Sequence, residues 1–419
     1  MVLISITSSN PKLSFVIKKN PANGMIMNKL RQGFSFGWYA SERQYLIYFS
    51  DLGMSYKEHK DSDFEYLNAK RYSSPVCIMN LLSEYLREPL SKSSDDDVSA
   101  KNSCKLSFIE TTNDIIKRFE TTIPGIKCET TLLHSLTEKR QCYSITISTK
   151  NSLNYLLMIV NLLCLFSTLM IRENMEIGDN LIEKYVNMMV QVDLPFYFRY
   201  KFSVLVLTSP NLFHKYQAVL EKSASATLKL DFGDTATQRK SGLAQLVSFR
   251  LPIVDIGCGE GNYGIPFAKK LAPLVYTGID CDPSQIKKIN RRAKEKQVTN
   301  LKTYLSLDEY LGQASGKVDV ICSEVVEHIS VEEAELLIKQ VLDKVDFNSF
   351  IITTPDFDFN KHYSSGKGLR ISDHKWEMTA PEFQTWIGKI VNNRFKFEYL
   401  GIGHAINGVY STQGVLIKN

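Results

Sequence analysis

Val254-Asp255-Ile256-Gly257-Cys258-Gly259-Glu260-Gly261 joins an apolar run to a segment of helical texture, and its reading decides the fold. A short apolar run closed by glycine reads as a buried strand. The glycines let the backbone turn sharply and come close to a ligand. A dinucleotide loop would carry G-x-G-x-x-G. Here the spacing is G-x-G-x-G, and an acid, Asp255, stands before the first glycine. That carboxylate repels a pyrophosphate and suits a ligand that carries positive charge.

Outward from this loop, strand-like runs alternate with helical ones: PIVDIG, GIPFAKKLA, VYTGID, PSQIKKINRRAKEK, VDVICSE and SFIITTP. The alternation predicts an α/β fold over residues 241–419, Rossmann-like, with a mostly parallel sheet and helices on both faces. Right-handed crossovers bring the strand ends to one edge, where ligands bind. The second strand ends in Gly278-Ile279-Asp280. An acid about 20 residues beyond a glycine loop can accept both hydroxyls of a ribose. Loop, Asp255 and Asp280 together resemble the S-adenosylmethionine methyltransferase superfamily. The resemblance implies S-adenosylmethionine as methyl donor, with Asp255, Gly257, Gly259 and Asp280 as its binding residues.

A second constellation follows the next strand-like run, where Ser323-Glu324-Val325-Val326-Glu327-His328 is found. Positions i, i+3 and i+4 share one face of a helical turn, so Glu324, Glu327 and His328 would converge at the ligand edge. Two carboxylates and an imidazole so close together are costly unless a cation lies between them. Asp373-His374-Lys375-Trp376-Glu377 supplies a further imidazole, and His374 would complete the set. The zinc-peptidase pattern H-x-x-E-H is excluded, since Glu324 stands where a histidine is required. Mixed oxygen and imidazole ligands favour Mn²⁺, with Co²⁺ and Fe²⁺ comparable and Mg²⁺ possible but less suited.

Here the resemblance narrows. Glu324 to His328, then Thr-Thr-Pro-Asp-Phe-Asp-Phe-Asn at 353–360, then Asp-His-Lys-Trp-Glu-Met-Thr at 373–379, with Glu382-Phe383 and Trp386, is similar to the Hua-enhancer family of RNA 3′-terminal ribose 2′-O-methyltransferases. Ser35-Phe36-Gly37 and Tyr72-Ser73-Ser74 extend the likeness to the bacterial members. The segment Ser306-Leu307-Asp308-Glu309-Tyr310 matches in part and brings Ser306 in as a further cofactor contact. The resemblance implies a catalytic metal held by Glu324, Glu327, His328 and His374, contacting the 2′- and 3′-hydroxyls of the last nucleotide. Methyl transfer to the 2′-OH of an RNA 3′ end, in RNA repair or end protection, is the expected activity. His328 or His374, if not fully committed as a ligand, would accept the proton. The implied partner of the N-terminal half is a polynucleotide kinase–phosphatase–ligase. Two rival readings stay open: a small-diol O-methyltransferase, and a subunit whose role is to activate an RNA ligase.

The rest of the chain is less explicit. Residues 1–90 read as one α+β subdomain and 104–221 as a second, for partner binding, with polar SKSSDDDVSAKNS (91–103) between them. Residues 222–240 read as a linker to the methyltransferase domain. The apolar run 155–171 approaches membrane-span length, but Asn161, Ser167 and Thr168 interrupt it, and a buried helix with no membrane is expected. Eight cysteines scattered singly, with no CxxC, and the absence of a basic-then-apolar leader suit a reduced, cytoplasmic protein. A net charge of +5 permits a polyanionic partner without requiring one. Lys361, His362, Lys367, Arg370 and Lys375 form a basic loop beside the expected metal ligands that would hold terminal phosphates. The basic helix bearing Lys287, Lys288, Arg291, Arg292, Lys294 and Lys296 reads as a solvated face.

Overall fold

Alternating residues in the first half build an antiparallel sheet with one face on a core. Its strands are β1 (Val2–Ser8), β2 (Ile26–Leu30), β3 (Gly33–Ser41), β4 (Gln44–Asp51), β7 (Asn102–Thr111), β8 (Ile126–Thr137) and β9 (Arg140–Thr149), with a short separate pair β5 (Tyr56–Lys57) and β6 (Tyr66–Leu67). They run in the order β2-β3-β4-β1-β7-β9-β8. The computed structural model describes residues 2–31, 33–51, 56–57, 66–67, 72–137, 140–175, 177–314, 316–363 and 368–419. It divides into two compact units: Met1–Leu207 with His214–Ser223, and Thr208–Phe213 with Ala224–Asn419.

The expected division of the first half at 91–103 is absent. β1 and β7, from either side of that stretch, are neighbours in one sheet. The polar run is pinned rather than loose. Buried Asp97 accepts hydrogen bonds from the backbone amides of Leu153 (2.7 Å) and Asn154 (2.9 Å). It thereby caps the apolar helix Leu153–Ile171, whose first amides have no partner within the helix. That helix is long and apolar enough to cross a membrane, yet 78% of its most apolar window lies inside the protein. Its polar positions are matched. Asn161 accepts from Tyr185 Oη (2.8 Å) and donates to Ser83 (3.3 Å), and Ser167 pairs with Thr111 (2.7 Å).

In the second unit the eight-stranded order is β10-β16-β17-β15-β14-β11-β12-β13. The strands are β10 (Leu228–Lys229), β11 (Ile253–Ile256), β12 (Tyr276–Ile279), β13 (Leu301–Tyr304), β14 (Val318–Ser323), β15 (Phe347–Pro355), β16 (Lys396–Ile406) and β17 (Val409–Lys418). β11 to β15 pair in parallel, and β17, β16 and β10 close the edge antiparallel. Every residue of β11, β12 and β14 is buried, as strands covered on both faces require. The helices start where their sequences specify. Ser330 and Glu333 form a capping box at Val331–Lys344, and Thr379 and Glu382 form another at Ala380–Val391. The expected mostly parallel α/β architecture is therefore present.

The expected linker 222–240 is also structured. Leu228–Lys229 pairs with β16, and Asp234 caps the helix Thr235–Leu246 by accepting from Thr237 N (2.8 Å). Its small polar residues are those a helix start uses, and their texture alone cannot be told from a linker's.

Candidate functional site

The glycine loop leaves β11 with Gly257, Gly259 and Gly261 all at positive φ (+74°, +51° and +80°). A Cβ on Gly257 would lie 2.3 Å from Val325 Cγ2, so this turn packs directly under the segment that bears the acidic cluster. Asp280 receives the Gly259 amide (2.8 Å) on one carboxylate oxygen and the Asp282 amide (2.9 Å) on the other. Loop and second strand end are thus locked together. Asp255 is 2% exposed and accepts the hydroxyl of Tyr276. Burial, with Asp280 nearby, pushes its carboxyl up to about 7, against the favourable bond from Tyr276. Ser306 is an exposed helix cap whose hydroxyl accepts from Glu309 N (3.1 Å).

The acidic–histidine cluster stands at the ends of β14 and β15. Glu327, His328 and His374 bring one ligand atom each to within 4.8 Å of the others. The local geometry is a 3₁₀ turn, Val326–His328, rather than the expected α-helical turn. Glu324 precedes it with φ +56°, a backbone conformation few side chains accept. It falls outside that trio and pairs instead with Arg239 Nη1 (3.2 Å). The segment carrying His374 is tied in through the backbone, Lys375 N donating to Glu327 O (2.8 Å).

The donor set fits a divalent cation. Glu327 is wholly buried, accepts from Thr354 Oγ1 (3.1 Å) on one oxygen, and has no partner for the other. Burial and the neighbouring Glu324 push its carboxyl up to about 8, a cost a cation would cancel. His374 Nδ1 contacts Glu377, and His328 Nδ1 lies 3.4 Å from Asp373. His374 therefore has one nitrogen on a buried carboxylate, the arrangement that orients metal-binding histidines, whereas His328 has only the looser, exposed ion pair with Asp373. The two rings meet edge to face at 4.8 Å.

Sequence reasoning overlooked several supporting residues. Glu377 accepts from the backbone of Arg370 (2.7 Å) and from Asn360 as well as contacting His374. Arg239 donates to Tyr263 Oη (3.3 Å) besides pairing with Glu324. It was hidden because the helix that carries it has the composition of a linker. The basic-loop expectation needs correcting at Arg370. Its guanidinium turns inward to Ser411 O (2.7 Å) and Asn360 Oδ1 (3.0 Å) instead of toward solvent. Lys367 lies outside the described residues. Lys287, Lys288, Arg291, Lys294 and Lys296 are exposed, as a solvated face would be.

Comparisons with known proteins agree with this architecture. A family model described as Hen1 N-terminal domain matches residues 3–225, and one described as methyltransferase domain matches 253–345. The small RNA 2′-O-methyltransferase of Xenopus tropicalis is 27% identical over 162 residues, covering 36% of this chain and 44% of that protein. The mouse (Mus musculus) protein of the same name is 25% identical over 202 residues, 43% of this chain and 50% of its own length. The match thus spans about half the length of these curated relatives or less. Among solved structures, a chain of the Pnkp1/Rnl/Hen1 RNA repair complex superposes with a TM-score of 0.81 at 24% identity, covering 100% of both chains. At that identity the likeness establishes the fold, through both units. Since the Hen1 N-terminal domain model accounts for more than half of the 419 residues, this protein belongs to the Hen1 family.

Proposed function

We propose that this protein transfers the methyl group of S-adenosylmethionine to the 2′-oxygen of the terminal ribose at an RNA 3′ end, with a divalent metal ion, Mn²⁺ or Mg²⁺, at the Glu327–His328–His374 cluster. The observation that carries the reading is the buried carboxylate oxygen of Glu327, left without a partner beside the imidazoles of His328 and His374, the second of them held by Glu377. The names of the relatives support the substrate. A divalent ion there would supply Lewis acidity to a pair of vicinal hydroxyls. The protein's own residues do the rest. Asp255, Gly257, Gly259 and Asp280 bind the donor, while Arg239 holds Glu324 beside the cluster. The O2′–CH₃ bond forms as the S–CH₃ bond breaks, S-adenosylhomocysteine leaves, and the hydroxyl proton is lost to water at the open side of the cluster. His328, side chain 36% exposed against 2% for His374, is the one open to water. The likeness to a chain of an RNA repair complex supports a kinase–phosphatase–ligase partner for the first unit.

The test is methyl transfer from labelled S-adenosylmethionine to a short RNA, with Mn²⁺, with Mg²⁺ and with chelator, beside 2′-deoxy and 3′-deoxy termini. Labelling that needs both hydroxyls and a metal, and that falls at least a hundredfold in Glu327→Ala, is the expected result. Metal-independent labelling would remove the cluster's assigned role. Labelling of a small catechol but not of RNA would favour the diol reading.

A further inference from the structure

One guanidinium joins the glycine loop to the acidic turn. Arg239, on the helix Thr235–Leu246, donates through Nε to Tyr263 Oη (3.3 Å), and its Nη1 lies 3.2 Å from Glu324 Oε2. Tyr263 closes the glycine loop at the start of the helix Gly264–Leu271. Glu324 opens the turn that carries Glu327 and His328. The two segments are already packed together, since Val325 fills the space beside Gly257. The Arg239 and Glu324 side chains are 15% and 16% exposed, so the pair is shielded yet open to a ligand.

This pairing withholds a carboxylate from the cluster. The other oxygen of Glu324 accepts from Thr353 Oγ1 at 3.5 Å, so the side chain is held at two points outside the Glu327–His328–His374 trio. A cation in the trio and the guanidinium are two positive charges in competition for one anion. Glu324 is free to leave only when a different anion takes the guanidinium.

The methyl donor carries such an anion. Asp280, at the end of β12, is the expected ribose acceptor, and the sulfonium has to lie near the cluster at the end of β14. The strand order β14-β11-β12 puts the glycine loop between them. The amino-acid end of the donor, on the far side of the sulfur from the ribose, then falls among Asp255, Tyr263 and Arg239. Asp255 accepts the Tyr276 hydroxyl, and a Cβ on Gly264, next to Tyr263, would lie 3.0 Å from the Tyr276 ring. An acid and an arginine thus flank one pair of tyrosines. A carbon that bears both an ammonium and a carboxylate needs opposite charges placed in this way.

We propose that Arg239 exchanges partners when the donor binds: its guanidinium passes from Glu324 to the α-carboxylate of S-adenosylmethionine, and Glu324 is released to become an additional ligand of the divalent ion. The exchange rests on the methyltransfer reading and couples its two ligands, so that each binds more tightly in the presence of the other by the same factor.

The experiment is calorimetric titration of the full chain with Mn²⁺, first alone and then with saturating S-adenosylhomocysteine, which keeps the carboxylate, or 5′-methylthioadenosine, which lacks it. S-adenosylhomocysteine should tighten Mn²⁺ binding about tenfold, and methylthioadenosine should leave it unchanged. In Arg239→Gln, Mn²⁺ alone should bind about tenfold more tightly than to the unaltered protein, with no further gain from S-adenosylhomocysteine. Glu324→Gln should stay within about threefold of the unaltered protein without ligand and lose the gain with it. Thermal melting checks that both variants fold. Equal tightening by the two ligands, or a gain that survives in folded Arg239→Gln, would overturn the exchange. Mn²⁺ binding that Glu327→Ala weakens but S-adenosylhomocysteine leaves unchanged would overturn the exchange alone. Mn²⁺ binding that is absent, or indifferent to Glu327→Ala, would overturn the metal reading and the exchange with it.

Discussion

Glu377 is the side chain that holds in place an imidazole beside the buried Glu327 carboxylate. It fixes the orientation of His374 while being held by Arg370 and Asn360. Glu377→Gln should keep the fold and weaken Mn²⁺ binding by about 10–100-fold, as loss of an outer partner to a metal-bound histidine does. Calorimetric titration with the metal alone checks this, and unchanged affinity would refute the role. Asp255 makes a different bargain with burial. Its carboxyl rises from an ordinary 3.8 to about 7. An acid whose folded value is raised stabilises the fold fully below its unfolded value and loses that contribution as pH rises through the folded one. The window is therefore about pH 4 to 7, and the difference of about 3 units corresponds to about 4 kcal/mol. Asp255→Asn removes the titration. Its melting temperature without ligand should gain on the unaltered protein between pH 5 and pH 8, while affinity for S-adenosylmethionine falls. A melting difference independent of pH would show that the carboxylate is not ionised at a cost.

At the level of elements, the glycine loop and the acidic turn are one device. Gly257 is at φ +74° and its missing Cβ is the space Val325 occupies, whereas Gly259, at +51°, has open space beside it. Gly257→Ala suffers both strain and overlap, and should lose about 2–4 kcal/mol of stability together with most of its affinity for S-adenosylmethionine. Gly259→Ala carries the backbone strain alone and should lose about 1 kcal/mol. Thermal denaturation of both variants tests the difference. Equal losses would mean that the contact with Val325 is unimportant. The same element scale marks where a linear reading succeeds. β11, β12 and β14 are apolar throughout because both faces are covered, so their pattern survives translation from sequence to fold. The helix Thr235–Leu246 was not legible, since its apolar content is low and its cap, Asp234, is a residue that loops also favour.

For the whole molecule, the amino-acid sequence by itself determined the class of the second unit. The alternation of short buried strands with helices leaves a parallel sheet as the packing that satisfies the chain, and it puts the ends of β11, β12 and β14 on one edge. It also determined that Glu324, Glu327 and His328 lie near one another, because they are close along the chain. Which of them shares a site with His374 was decided only by tertiary structure. The left-handed turn at Glu324 directs that carboxylate to Arg239, and the hydrogen bond from Lys375 N to Glu327 O brings the distant segment in. The unity of the first half was likewise a tertiary outcome. A polar stretch reads as a boundary, but Asp97 within it caps a buried helix and β7 after it pairs with β1. The physical reason is common to both cases. Periodicity reports which face of an element is buried, whereas strand neighbours and side-chain partners from distant segments depend on how elements pack, which no local pattern encodes.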